Sequence, residues 1–288
     1  MTIKNRLLLF LKGMAMGVSD LIPGISGGTV ALLLGIYKEL IKSLKSINKE
    51  TFFYFSTFNF NKLSHQLNFK FLIPVFFGII SSILFFSKII SFLILNHKIL
   101  LFSLFFGLIF FSSLKIIYDF KPKSLKSYFI IILGFSFGFF ISLINPISTS
   151  ESFFAIFLSG FIAISAMLLP GISGSYILLM IGKYEFMLES ISNLYLVNIV
   201  VFSIGALFGI LSFSKIIYWL LNNYYNTTIF FLSGLMLGAL NKVWPWIYNE
   251  SFFFPIEYYR VTGENNLFIY SLIIFVFTGF ISYNIKSK

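Results

Sequence analysis

Two apolar segments of this chain, residues 6–43 and 153–190, are each broken at the centre by the same five residues, Pro-Gly-Ile-Ser-Gly, at 23–27 and 170–174. Proline removes a backbone donor and glycine admits left-handed dihedrals, so neither segment can run as one helix. In lipid an unpaired backbone N–H or C=O is costly, which confines a broken helix to the protein interior or to the wall of a polar cavity. The pattern therefore predicts two helical hairpins that enter a membrane without crossing it, with their tips inside the protein.

That the surroundings are lipid follows from composition. Of 288 residues, 58% are hydrophobic and 11% charged, and the mean hydropathy is +0.93, beyond what a soluble core requires. Six unbroken segments reach the roughly 20 residues that a span needs: 71–95, 99–117, 128–145, 196–221, 227–243 and 267–285. The N-terminus turns apolar after Arg6 but shows no small-residue cleavage site before a hydrophilic chain, so it reads as retained. The 44–70 stretch, rich in Phe, Lys and Asn, has too irregular a pattern to specify an interfacial helix.

The chain repeats itself. At an offset of 147, Gly13 matches Gly160, the two Pro-Gly-Ile-Ser-Gly runs coincide, and Gly35 and Tyr37 match Gly182 and Tyr184. Beyond the hairpins the offset becomes 127: Gly78 matches Gly205, Ser87-Lys88-Ile89-Ile90 matches Ser214-Lys215-Ile216-Ile217, and Gly107-Leu108 matches Gly234-Leu235. The expected fold is an all-α polytopic membrane protein of two repeats, 1–145 and 146–288, each a re-entrant hairpin plus three transmembrane helices. Three spans per repeat invert the second copy relative to the first, the pattern of secondary transporters.

Charge fixes the orientation. With both termini cytoplasmic, the inner segments 1–12, 38–70, 115–127, 215–226 and 286–288 carry 16 of the 21 Lys and Arg, as the positive-inside rule expects. The remainder are Lys88 within a span and Lys98, Lys183, Lys242 and Arg260 on or near the outer side. The net charge of +11 thus belongs to loops, not to a nucleic-acid-binding face. There is no cysteine, and the two histidines, His65 and His97, are far apart, so no metal centre or cofactor is expected.

Both tips run from a turn into a helix start, Ser26-Gly27-Gly28-Thr29 and Ser173-Gly174-Ser175. Serine caps free N–H groups there, and two such helix ends facing one cavity would suit an anion such as phosphate. Alternatively Ser and Gly only close a tight turn. Lys88 and Lys215 match across the repeats; they either stage an anionic headgroup at two depths or snorkel to the surface. Asp20, whose counterpart is Met167, could bind a coupling proton or cation, pair with a lysine, or hydrogen-bond backbone at the kink. The spacings Gly134/Gly138, Gly205/Gly209 and Gly234/Gly238 let helices approach closely. Trp244-Pro245-Trp246 ends a span where indoles favour headgroups, as an anchor.

The paired Pro-Gly-Ile-Ser-Gly runs, Gly-Ile-Tyr-Lys-Glu at 35–39, Gly-Lys-Tyr-Glu at 182–185, and Gly-Leu-Met-Leu-Gly at 234–238 leading to Trp-Pro-Trp resemble the polyprenyl-phosphate translocase (PopT) family over almost the whole chain. The resemblance implies return of undecaprenyl phosphate, the carrier lipid of envelope polysaccharide synthesis, from the outer to the inner leaflet of the bacterial cytoplasmic membrane. It carries over to Asp20, Pro23, Gly24, Ser26, Gly27, Gly28 and Thr29, and to Pro170, Gly171, Ser173, Gly174 and Ser175. One departure is that Arg6 and Arg260 are the only arginines, so lysine or helix ends must replace any arginine grip on a headgroup.

Three functions compete: a lipid-phosphate translocase, a carrier or channel for a small soluble anion such as phosphate or chloride, and a lipid phosphatase. The last lacks a His/Asp/Arg cluster. Only a lipid substrate requires a lateral opening.

Overall fold

The computed structural model describes residues 3–284 apart from Asn145, Ser148 and Glu250. The inner segment expected at 286–288, and the last residues of the spans expected at 128–145 and 267–285, lie outside the described residues.

The first broken segment forms α1 (Ile3–Asp20), a turn, α2 (Gly27–Leu33) and α3 (Tyr37–Lys45). The second forms α9 (Phe153–Met167), α10 (Gly174–Met180) and α11 (Tyr184–Ser192). Adding 147 to the bounds of α2 and α3 gives those of α10 and α11, and each segment has two left-handed glycines: Gly24 (φ +87°) and Gly35 (+70°), then Gly171 (+95°) and Gly182 (+64°). The returning arm is thus not one helix but two short ones, because Gly35 and Gly182 reverse the backbone where an L side chain would be strained. Lys12 caps the end of α2, donating from Nζ to the Leu34 carbonyl at 2.7 Å.

Among the described residues, four helices are long and apolar enough to cross a membrane: α6 (Phe69–Asn96), α7 (Lys98–Phe120), α8 (Leu125–Leu143) and α12 (Leu196–Asn223). The bounds of α6 and α12 differ by 127, as do the starts of α7 and α13 (Tyr225–Gly238). The span expected at 227–243 is not a single α-helix: α13 stops at Gly238 and tightens into a 3₁₀ turn, Ala239–Val243. Trp244 then extends (φ −61°, ψ 130°), as the residue before Pro245 must. The last expected span is α15 (Phe268–Asn284), 17 residues and so about 26 Å long.

Two stretches fold where no element was specified. Residues 44–70 form α4 (Lys49–Ser56) and α5 (Phe60–Gln66), started by Asn48 and Asn59, whose Oδ1 atoms accept from Thr51 N at 3.1 Å and Lys62 N at 3.3 Å. Between α13 and α15 lie a two-residue hairpin of β1 (Ile247–Tyr248) and β2 (Ser251–Phe252) and the short α14 (Pro255–Thr262). The tryptophans hold this excursion in place instead of projecting as anchors. Trp244 Nε1 donates to Phe253 O at 2.9 Å, Trp246 Nε1 to Asn266 O at 2.8 Å, and Trp246 is buried with Ile99 and Tyr258.

Helices pair as α1 with α6, α9 with α12, α8 with α13 and α7 with α15. Each pairing is a glycine seam. A Cβ at Gly13 or Gly78 would strike the Val75 or Phe10 carbonyl across α1–α6, and one at Gly134, Gly138, Gly234 or Gly238 would strike a carbonyl across α8–α13. Consecutive helices α7 and α8 scarcely touch. The main buried cluster gathers both hairpins, Ile22, Ile25, Tyr37, Leu168 and Ile172 among them, against Leu235 and Met236 of α13.

Candidate functional site

The two hairpin turns meet each other directly. α9 ends at Met167, leaving its last carbonyls without helical partners, and the first hairpin supplies donors: Ser26 Oγ to Met167 O at 3.2 Å and Tyr37 Oη to Leu168 O at 2.7 Å. In return the Gly171 N–H donates to Thr29 Oγ1 at 2.8 Å. Ser26, Gly27, Gly28, Thr29, Pro170, Ser173 and Gly174 are all buried, Gly171 is half-buried and Ser175 is exposed.

At the first tip the free N–H groups are already occupied. Gly27 N donates to Asp20 Oδ1 at 2.6 Å and Gly28 N to Ser26 Oγ at 3.1 Å, so the Asp20 carboxylate sits where an anionic ligand would bind the start of α2. Of the roles open to Asp20 in the sequence, this geometry is the backbone one. The second tip has Met167 in the matching place and no such carboxylate; Ser173 Oγ and Ser175 Oγ lie 2.8 Å apart. Each following helix has only seven residues, which limits its dipole.

The open space lies beside the tips. A cavity of about 480 Å³ is lined by the first turn (Pro23, Gly24), the α6–α7 corner (Ile94, Lys98, Phe102), the end of α8 and residues after it (Ser142, Leu143, Ile144, Pro146), α10 (Tyr176, Leu179), Lys242 of the 3₁₀ turn, and Ile247 and Phe252 of the β-hairpin. Lys242 Nζ stands 4.4 Å from the centre of the Tyr176 ring. Lys98 Nζ stands 5.7 Å from that of Phe102 and 3.4 Å from Ile247 O. A separate void of about 10 Å³, bounded by Gly24, Gly171, Ser173, Tyr176 and Lys242, lies beside the second tip.

A second cavity, about 360 Å³, shares Phe252 with the first and is aromatic: Phe106 of α7, Phe135 and Phe139 of α8, Trp244, Phe253 and Phe254, with Asn241 and Glu257 as its polar members. It occupies the gap between α7 and α8, where Phe135 and Phe139 are exposed.

Lys88 and Lys215 are not brought to the tips. Each is exposed on the outer face of its helix and lines neither cavity. Lys183 is buried and donates to Thr149 O at 2.8 Å. Sequence reasoning missed Lys98, Lys242 and Tyr176 as site residues. The signal for the two lysines was present, since both fall among the cations left over by the positive-inside count. Among the described residues no three His, Asp or Glu cluster as metal ligands.

A family profile described as undecaprenyl phosphate translocase-like matches residues 16–254. Among curated proteins, a polyprenyl-phosphate transporter of Vibrio cholerae is 41% identical over 242 residues, covering 84% of this chain and 79% of its own. A polyprenyl-phosphate transporter of Staphylococcus aureus is 33% identical over 254 residues, covering 82% of this chain and 85% of its own. No solved structure matches the chain.

Proposed function

This chain belongs to the undecaprenyl phosphate translocase-like family, and from that premise we propose that it flips polyprenyl phosphate, undecaprenyl phosphate in particular, across the bacterial cytoplasmic membrane. The role would be recycling of the carrier lipid in envelope polysaccharide synthesis. The observation that carries the reading is a lysine-bearing cavity against the hairpin turns that adjoins an aromatic cavity in the gap between α7 and α8.

In this reading the α6–α7 corner faces outward and both termini face the cytoplasm, as the lysine distribution supports. Residues 1–145 and 146–288 are inverted repeats, and 6–43 and 153–190 are re-entrant hairpins. The coincidence of element bounds at offsets of 147 and 127 supports this. So does the exchange of partners, in which the third span of each half packs on the second span of the other, α8 on α13 and α15 on α7.

A phosphate monoester carries about 1.5–2 negative charges near neutral pH, and isolated in hydrocarbon it would be prohibitively costly. Lys98 and Lys242 place two ammonium groups in the wall of the space it would occupy, where the Tyr176 hydroxyl is held by the Ser142 and Ile144 carbonyls at 3.4 Å. The prenyl chain has no such need and stays in lipid, entering beside Phe106, Phe135 and Phe139. A carrier for a soluble anion would have no use for that side cavity, which favours the lipid substrate. Lys88 and Lys215 snorkel to the two surfaces and lie outside the path.

The test is leaflet exchange of a fluorescent short-chain polyprenyl phosphate in reconstituted vesicles. Lys98→Ala with Lys242→Ala should slow exchange about 10- to 100-fold, the scale of one lost charge-assisted hydrogen bond of about 1.5–3 kcal/mol. Lys88→Ala should leave it unchanged. An undiminished rate in the double variant would remove the cavity from the path.

A further inference from the structure

The lysine-lined cavity has a collapsed counterpart at the other end of α7. Adding 127 to Ile94, Lys98 and Phe102, which line the open cavity, gives Leu221, Tyr225 and Ile229, which line a pocket of about 40 Å³. Subtracting 147 from Leu179 gives Leu32, and subtracting 127 from Ile247 gives Phe120; both belong to the same small pocket. Five of the nine residues that line the small pocket are thus repeat counterparts of residues lining the open cavity, at less than a tenth of the volume.

The polar contacts beside the small pocket are one-sided. Ser26 and Tyr37 of the first hairpin are bonded to the Met167 and Leu168 carbonyls. The matching set in the other direction would be Ser173 and Tyr184 bonded to the Asp20 and Leu21 carbonyls, and the structure does not make it: Ser173 is joined to Ser175, and Tyr184 is 37% exposed where Tyr37 is 2% exposed. Packing is equally lopsided. α3 rests on α12, with Lys45 4.8 Å from the Tyr218 ring centre and Lys38 5.0 Å from that of Tyr225. No comparable packing of α11 on α6 exists among the described residues.

We infer that the small pocket is a second binding site for a phosphate monoester headgroup, closed in this structure, and that the two sites open in alternation. In the other state Ser26 and Tyr37 release Met167 and Leu168, and Ser173 and Tyr184 take the carbonyls of Asp20 and Leu21. Lys38, which lines the small pocket, supplies the cation there, as Lys98 and Lys242 do in the open one. Such an exchange moves a charged headgroup between faces without a continuous aqueous channel. The identity of the ligand rests on the transport reading above; the alternation does not.

Because the chain has no cysteine, single cysteines at Ile94 and Leu221 report on the two sites without background. In proteoliposomes, Ile94→Cys should react with a membrane-impermeant thiol reagent from the side of the α6–α7 corner, and Leu221→Cys should react about tenfold more slowly from the opposite side, as expected for a minority state. Tyr37→Phe keeps the ring but removes the donor, so it should speed Leu221→Cys labelling and slow that of Ile94→Cys. Rates unchanged by Tyr37→Phe would overturn the latch.

A reducible bifunctional crosslink between Lys45→Cys and Tyr218→Cys, a pair outside both pockets that pins α3 to α12, gives an independent check. It should cut short-chain polyprenyl phosphate exchange about tenfold or more, with recovery on reduction; full exchange in the bridged protein would overturn alternation. Reciprocal labelling with no lipid exchange in the unmodified protein would instead sink the transport reading and leave the paired sites standing.

Discussion

Asp20 and Met167 occupy matching places before the two turns, and the difference decides how each hairpin closes. Asp20 Oδ1 takes the Gly27 N–H at 2.6 Å, so the first tip supplies its own anion. Asp20→Ala should lower thermal stability in detergent by about 0.5–2 kcal/mol, the cost of a lost helix cap. Asp20→Asn keeps an acceptor and should recover most of that loss. If Asp20→Asn also abolished the pH response of exchange, the carboxylate would be a coupling group in addition to a cap. The partner of this residue was not legible in the sequence, where a coupling ion, a lysine and the backbone were equally open. The path of the turn, which returns Gly27 to Asp20 over seven residues, is what brings that N–H to the carboxylate. Lys98 and Lys242 were hidden for a related reason: they stand 144 positions apart and meet only when the α6–α7 corner and the 3₁₀ turn share one cavity.

At the scale of elements, the repeat was the most legible feature, since periodic apolar runs and paired glycines follow from burial and close approach alone. The seams answer directly to those glycines. Gly234 of α13 faces the Ile131 carbonyl of α8, and a methyl group there would collide with backbone. Gly234→Ala should therefore destabilise the protein by about 1–3 kcal/mol, read as a lower unfolding midpoint. Less legible were the elements set by local caps or tertiary contact. α4 and α5 depend on Asn48 and Asn59, and the expected span 227–243 divides at Gly238, where the helix meets the Phe135 carbonyl. A hydropathy pattern carries no information about a switch from α to 3₁₀.

Across the whole molecule, the fold joins a polar task to an apolar one. The hairpins bury their broken backbone against each other, the cations that fall outside the positive-inside pattern include the two that line the open cavity, and the gap between α7 and α8 leaves an aromatic space beside it. That combination suits a substrate with a phosphate at one end and a hydrocarbon at the other. The most direct measurement compares two substrates in the same vesicles: leaflet exchange of a short-chain polyprenyl phosphate and uptake of inorganic phosphate. The account predicts lipid exchange well above that of protein-free vesicles, with phosphate uptake at the protein-free level. Phosphate uptake without lipid exchange would contradict it.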